Sequence, residues 1–334
     1  MTRSRDVADT QDNLGGAVAP FVAGKNKIIN GDFGIWQRGT SFSANGYTAD
    51  RWSCNFSGAT GTVSQQTFTP GTAPVAGYEG QFFLRLATTV ADDNSRIEQK
   101  IENVRTFAGQ TVTVSLWAKA DSARTITLNP YQSFGSGGSA DVSITGQTIS
   151  VTTSWTRFTK TFDVPSVAGK TIGTGSFFSL ELLHAPNATF TLDLWGVQVE
   201  AGSVATPFTT ATGTIQGELA ACQRYAYVLQ PATTDPTPYA TGQALTTTRC
   251  ITQVQFPVTM RVTPTLTVTN TANWFNMTSG YLVAVANTLS AYRLTSINAS
   301  MDLSVAVASF TAGNASAFGA NGSTAAQLLF SSEL

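Results

Sequence analysis

The sequence predicts an all-β protein: an antiparallel sandwich, then a short helix, then a second, smaller β-sandwich. Three observations carry this. Apolar and polar residues alternate with period two from Lys27 to about Gly202, and again from about Ala232 onward. Between these regions one stretch, TIQGELAACQRYAYVL, repeats its apolar residues at helical spacing. The strand–helix–strand alternation that a parallel sheet needs is not seen.

Residues 1–26 are polar, punctuated by glycine and without a sustained period. Composition alone reads them as a disordered tail; the functional reading is an anchoring arm that becomes ordered on a partner. Residues 27–210 form the first β region. In Thr111–Leu116 the even positions are apolar and the odd ones polar, and Phe158, Phe162 and Val164 repeat the pattern against Thr159, Thr161 and Asp163. Phe178, Leu180 and Leu182 do so again. One greasy and one wet face per strand argue for an antiparallel sandwich. Clusters such as Gly135-Ser136-Gly137-Gly138 supply the turns.

Residues 211–231 are predicted as a linking helix whose stripe is Ile215, Leu219, Cys222 and Ala226. Gly217 weakens that helix slightly. Residues 232–334 resume the strand pattern in Val254, Phe256 and Val258 and in Met301, Leu303, Val305 and Val307. Pro257 and Pro264 confine their strands to edges or ends. The Asp235-Pro-Thr-Pro-Tyr239 stretch reads as a rigid loop.

Composition narrows the function classes. Charged residues make up 12% of the 334, about half the ~25% of an ordinary globular chain. Nineteen basic against twenty acidic residues leave a formal charge of −1. That gives no electrostatic footprint for nucleic acid. No run approaches the ~18 apolar residues of a spanning helix, so no membrane insertion is expected. Cys54, Cys222 and Cys250 are too widely spaced for a disulfide framework or a zinc knuckle. Reduced, buried thiols suit folding in a cytoplasm.

The segments Asn30-Gly31-Asp32-Phe33, Ile35-Trp36-Gln37-Arg38-Gly39 and Asp50-Arg51-Trp52 resemble the NGDF…WQRGT…DRW signature of bacteriophage tail-fibre and related virion proteins. The likeness continues in Ser95–Asp121, Ser154–Pro165, Gly196–Glu200, Cys222–Tyr225 and Phe256–Arg261. It implies a β-jelly-roll of the carbohydrate-binding-module type over 27–210 and a distal domain over 232–334. It also implies a homotrimer mounted on a virion through residues 1–26 and recognising a glycan of the host surface. A capsid head fibre or decoration protein shares the likeness, and a polysaccharide depolymerase is the enzymatic alternative.

Jelly-rolls of that type often hold a structural Ca²⁺, and the resemblance puts Asp32 and Asp193 where first and last strands would meet. The competing readings are an Asx-type turn at Asp32 and an arginine partner for Asp193. Sugar recognition asks for exposed aromatic faces beside amides. Trp274, among Asn273, Asn276 and Thr278, with Tyr281, Tyr292 and Tyr239, is the receptor-facing candidate; packing of the second core or of a subunit interface is the competing reading. No catalytic residues are expected. His184 is the single histidine and lies by no nucleophile elbow. Adjacent Asp92 and Asp93 point apart, and Glu98 and Glu102 read as a solvated strand face.

Overall fold

A computed structural model describes residues 24–334 except 59, 76–77, 91–94, 185–188, 232–236, 279–281, 287 and 321–323. Most of the arm expected over 1–26, and Tyr281, therefore lie outside the described residues. The chain divides into two compact units, residues 1–219 together with Leu334, and residues 220–333.

The first unit is an antiparallel jelly-roll sandwich. Its strands are β1 (Ser41–Phe42), β2 (Gly46–Tyr47), β3 (Trp52–Asn55), β4 (Thr60–Thr67), β5 (Phe82–Val90), β6 (Arg96–Glu102) and β7 (Thr111–Ala120). They continue as β8 (Arg124–Ser133), β9 (Val142–Ser143), β10 (Gln147–Val151), β11 (Thr156–Asp163), β12 (Phe177–His184) and β13 (Phe190–Ala201). One sheet runs β1-β4-β5-β13-β7-β11 and the other β10-β8-β12-β6-β3-β2, with β9 against β8. The period-two pattern does its work here. Val112, Val114 and Leu116 from one sheet, and Phe178, Leu180 and Leu182 from the other, meet in one core around Trp52 and Phe33. Each such side chain fully buried contributes about 1.5–3 kcal/mol.

The tail-fibre-like motifs turn out to be stitching. Asn30 sits at φ 57°, and its side chain donates to the carbonyls of Ile35 (2.8 Å) and Asp50 (3.0 Å) while accepting from Ile35 N (2.9 Å). Trp52 Nε1 donates to the Asn30 carbonyl at 3.0 Å. Asp50 accepts from Gln37 N at 3.0 Å and also from the Gln37 side-chain amide. Asn26 spans 171 residues to donate to Val197 O at 3.1 Å and also accepts from Val199 N at 3.0 Å. The Asn26 bonds fasten this segment onto β13, and the others tie residues 30–52 to one another.

The helix α1 (Ile215–Gln223) is shorter than its expected span, and Ala226 belongs to the strand that follows. The expected apolar stripe does not hold as a buried face: Ile215 is 60% and Leu219 38% exposed. The reason is Glu218, buried at 2%. It accepts from Asn30 N at 2.7 Å and from Thr212 N at 2.7 Å, so the face carrying Glu218 and Cys222 turns inward instead. Cys54, Cys222 and Cys250 are buried and in no disulfide, and burial pushes the Cys54 thiol up to about 11.

The second unit is a smaller β-sandwich. It contains β14 (Ala226–Leu229), β15 (Thr237–Ala244), β16 (Arg249–Gln255), β17 (Thr265–Thr269), β18 (Trp274–Thr278) and β19 (Leu282–Val285). β20 (Thr288–Leu294), β21 (Asn298–Ser304), β22 (Ala315–Ala320) and β23 (Gln327–Ser331) complete it. A seven-stranded sheet, β19-β18-β22-β15-β16-β21-β20, and a three-stranded one, β14-β23-β17, enclose a core with Trp274, Phe318, Phe330 and Met301. Pro257 and Pro264 fall just outside β16 and β17, as a missing donor requires.

Candidate functional site

The two outer faces of the first unit differ in what covers them. On β5, β7 and β13 the outward residues Phe83, Trp117 and Trp195 are roofed by Phe68, Tyr78 and Phe208 into an aromatic cluster. Gly80 belongs to that roof because a Cβ there would lie 2.7 Å from Trp195 Nε1. This face is largely closed by the protein's own loops.

The outer face of the second sheet carries polar residues in register. Across four strands, Asn129, Glu181, Glu98 and Ser53 form one row of direct partners. Tyr131, Ser179 and Lys100 form the next. Directly opposed side chains on antiparallel strands are near neighbours, with Cβ atoms about 4.5–5.5 Å apart. Two carboxylates face each other here, and each has its own donors. Glu98 Oε1 accepts from Ser179 Oγ at 2.6 Å and Tyr131 Oη at 3.0 Å. Glu181 Oε2 accepts from Asn129 Nδ2 at 2.7 Å, and its Oε1 pairs with Arg96 Nε at 3.1 Å.

Burial pushes the Glu181 carboxyl up; the Asn129 bond opposes this, and the Glu98 charge adds to it. Burial and then the Glu98 carboxylate push the Tyr131 phenol up, so it stays a donor. Aromatic surface borders the row: Tyr131 meets Phe177 edge-on at 5.8 Å, and Lys100 Nζ lies 4.8 Å from the Phe177 ring centre. Lys100 and Tyr47 also donate to the carbonyl of Leu334, at 3.1 and 2.9 Å. Hydroxyl, amide, carboxylate and ring faces on one half-buried surface are the groups that bind sugar hydroxyls and the apolar face of a sugar ring.

Residues 41–178 match the family model of a carbohydrate binding domain, CBM_4_9. The match lies wholly within the first unit and covers less than half of the chain. It includes Glu98 and Tyr131 and stops before Glu181. Among solved structures, one described as CBM4 structure and function is 19% identical, covering 52% of this chain and 98% of its own, at a TM-score of 0.35. A family 11 carbohydrate-binding module from Clostridium thermocellum is 12% identical over 50% of this chain and 97% of its own, TM-score 0.33. The enzymatically active domain of tailspike protein 4 from Bacteriophage CBA120 is 13% identical, with 53% of this chain against 22% of that one, TM-score 0.33. No curated protein sequence matches the chain.

The residues singled out from sequence fall elsewhere. Trp274 is fully buried, stacked on Phe318 at 5.3 Å with its Nε1 donating to Thr269 O at 3.2 Å. It fills the second core and cannot face a receptor, which corrects its place in the glycan patch. Tyr239 packs on Trp274 at 6.2 Å. Tyr292 is 50% exposed, at a register shift in β20, with Arg249 and Arg293 each 5.5 Å from its ring.

Asp32 and Asp193 do not fit a shared Ca²⁺ site. Asp193 accepts two bonds from Arg85, at 2.7 and 2.9 Å, with Lys119 at 3.5 Å. Two cations already neutralise it, leaving no charge for a hard metal. Asp32 accepts from Tyr78 Oη at 3.1 Å and Gly34 N at 3.4 Å, an Asx-type turn. Burial pushes its carboxyl up, against the lowering effect of the Tyr78 and Gly34 bonds. Among the described residues no cluster of three or more His, Cys, Asp or Glu could hold a metal ion.

Glu98 was expected to be solvated and is 8% exposed. Its partnership with Glu181, 83 residues away, needs the ladder between β6 and β12. The signal available in sequence was limited to an acidic residue at a solvent-face position in each strand.

Proposed function

We propose that this chain recognises a host-surface glycan as a bacteriophage virion appendage, and that the Asn129–Glu181–Glu98–Ser53 row with Tyr131 is the face that meets the sugar. The observation that carries this reading is the opposed carboxylate pair beside Tyr131 and Phe177, on a sheet that overlaps the carbohydrate binding domain match. The partly exposed Asn129 and Glu181 offer polar partners to sugar hydroxyls, and the Tyr131 and Phe177 rings offer apolar surface to a pyranose. Binding of host glycans to an array should fall at least tenfold in Glu98→Gln and in Asn129→Ala, with the circular dichroism spectrum kept. Unchanged binding in both, in a chain that binds glycan, would overturn the assignment.

In this reading residues 1–26 attach the chain to a tail or capsid component, and three copies multiply weak sugar contacts into avidity. Light scattering that returns a stable monomer would remove the trimer, and decoration of virions by a chain lacking 1–26 would remove the anchor. A depolymerase is the second reading, favoured by the opposed carboxylates. Glycoside hydrolysis sets its carboxyl groups on either side of the scissile bond. Glu98 and Glu181 instead share one face of one sheet, under any sugar lying on it, which supports binding over cleavage. Release of reducing ends from host polysaccharide would reverse that preference.

A further inference from the structure

We propose that the C-terminal unit carries a second sugar-binding groove, for a neutral oligosaccharide, where β15 and β16 part. These neighbours pair only over Gly242–Ala244 and Cys250–Thr252. Beyond that the ladder stops, although β15 stays paired to β22 and β16 to β21 on their other edges. Adjacent strands normally run about 4.8 Å apart; here the gap widens into a groove of about 580 Å³, lined by Tyr227, Leu229, Tyr239, Thr241, Gln253 and Gln255 among others.

The local backbone explains why Tyr239 lines it. The register shifts between Pro238 and Ala240, so Tyr239 is the extra residue of a bulge, which re-aims its side chain. Its ring is backed by Trp274 at 6.2 Å, and the Tyr227 ring by Phe256 at 5.9 Å and Phe330 at 6.2 Å. Both rings are thus held by the core before any ligand arrives. The Tyr239 hydroxyl is screened from solvent and has no hydrogen-bond partner among the described residues. Gln253 and Gln255 stand exposed on β16 either side of buried Val254.

The lining chemistry selects the ligand. Two tyrosyl rings can stack on pyranose faces, two primary amides and the Thr241 hydroxyl can donate to and accept from sugar hydroxyls, and no lining side chain is charged. Phosphate or uronic acid would find no cation there. The volume lies within the 300–1,000 Å³ usual for small-ligand sites, enough for a short oligosaccharide. An extended peptide could also use the open strand edges, but amides and a hydroxyl beside aromatic walls suit a sugar better. The ligand class rests on the carbohydrate reading above; the location does not.

The test is calorimetric titration of the full chain with neutral glucose and galactose tetrasaccharides. Two sites per chain are expected for at least one of them. The double variant Thr241→Val, Gln255→Ala changes only exposed side chains and should remove one site; Tyr239→Phe should weaken that site at least tenfold. Glu98→Gln should weaken the other site alone. If Glu98→Gln has no effect while the double variant does, the face on the first unit is wrong and the groove stands. A titration unmoved by the double variant, no binding of either sugar, or competition in the groove only by an alternating Thr-Val hexapeptide would overturn the groove.

Discussion

Glu98 and Glu181 stand directly opposite each other on β6 and β12, and each carboxylate is held by donors the other does not share. The arrangement places a pH dependence in the fold. Burial, set against the Asn129 bond and joined by the Glu98 charge, raises the Glu181 carboxyl, with the Arg96 pair already included in that net direction. A carboxyl raised on folding stabilises most below its unfolded value, about 4.3, and that contribution is lost as pH rises through the folded value. Glu181→Gln should therefore gain melting temperature relative to wild type on going from pH 4 to pH 7. Thermal unfolding at the two pH values checks this, and an identical difference at both would contradict it.

Asp193 is 2% exposed and its charge is balanced by Arg85 and Lys119. Removing one partner of a buried pair leaves a charge uncompensated, worth 3–5 kcal/mol when fully enclosed. The Arg85 side chain is 35% exposed, so solvent takes up part of the loss, and Arg85→Met should cost about 1–3 kcal/mol in urea unfolding. Chelator should leave the wild-type melting temperature unchanged. A drop on chelation, restored by Ca²⁺, would show that these carboxylates hold a metal after all.

Gly31 has its carbonyl bonded to Val197 N at 2.9 Å, and a Cβ on it would lie 2.2 Å from Val197 O. The obstructing atom is backbone already fixed by that bond, so neither strand yields easily. Gly31→Ala should destabilise the first unit by about 3 kcal/mol or more, at the upper end of overpacking costs. Gly71→Ala, with nothing near its Cβ, is the comparison: its φ of +81° leaves a backbone penalty of only about 1–2 kcal/mol. Denaturant midpoints of the two variants order them.

Alternation in β7, β11 and β12 was legible because each strand carries its own period, and the first sandwich follows from it. What a single strand does not carry is its neighbour. Glu98 reads as solvated until β12 supplies Glu181 and Ser179 and β8 supplies Tyr131. The Asn30 and Gly31 motif reads as a signature of function until Val197 and Glu218, more than 160 residues on, show it to be a fastening. Ile215 and Leu219 mislead for a related reason: a buried acid with three donors in reach can turn a nine-residue helix more strongly than two aliphatic side chains.

Trp274 and Tyr292 separate packing from recognition in the second unit. Trp274 lies at 0% exposure between Tyr239 and Phe318, so Trp274→Ala opens a large cavity and should cost about 3–5 kcal/mol. Tyr292→Ala removes a ring that is half in solvent and should stay within about 1 kcal/mol of wild type. Urea unfolding followed by tryptophan fluorescence would be blind to the loss of Trp274 itself, so circular dichroism at 215 nm is the appropriate probe. Equal stability of the two variants would mean that the second core does not depend on the Trp274–Phe318 stack, and the rigid backing it gives Tyr239 would fall with it.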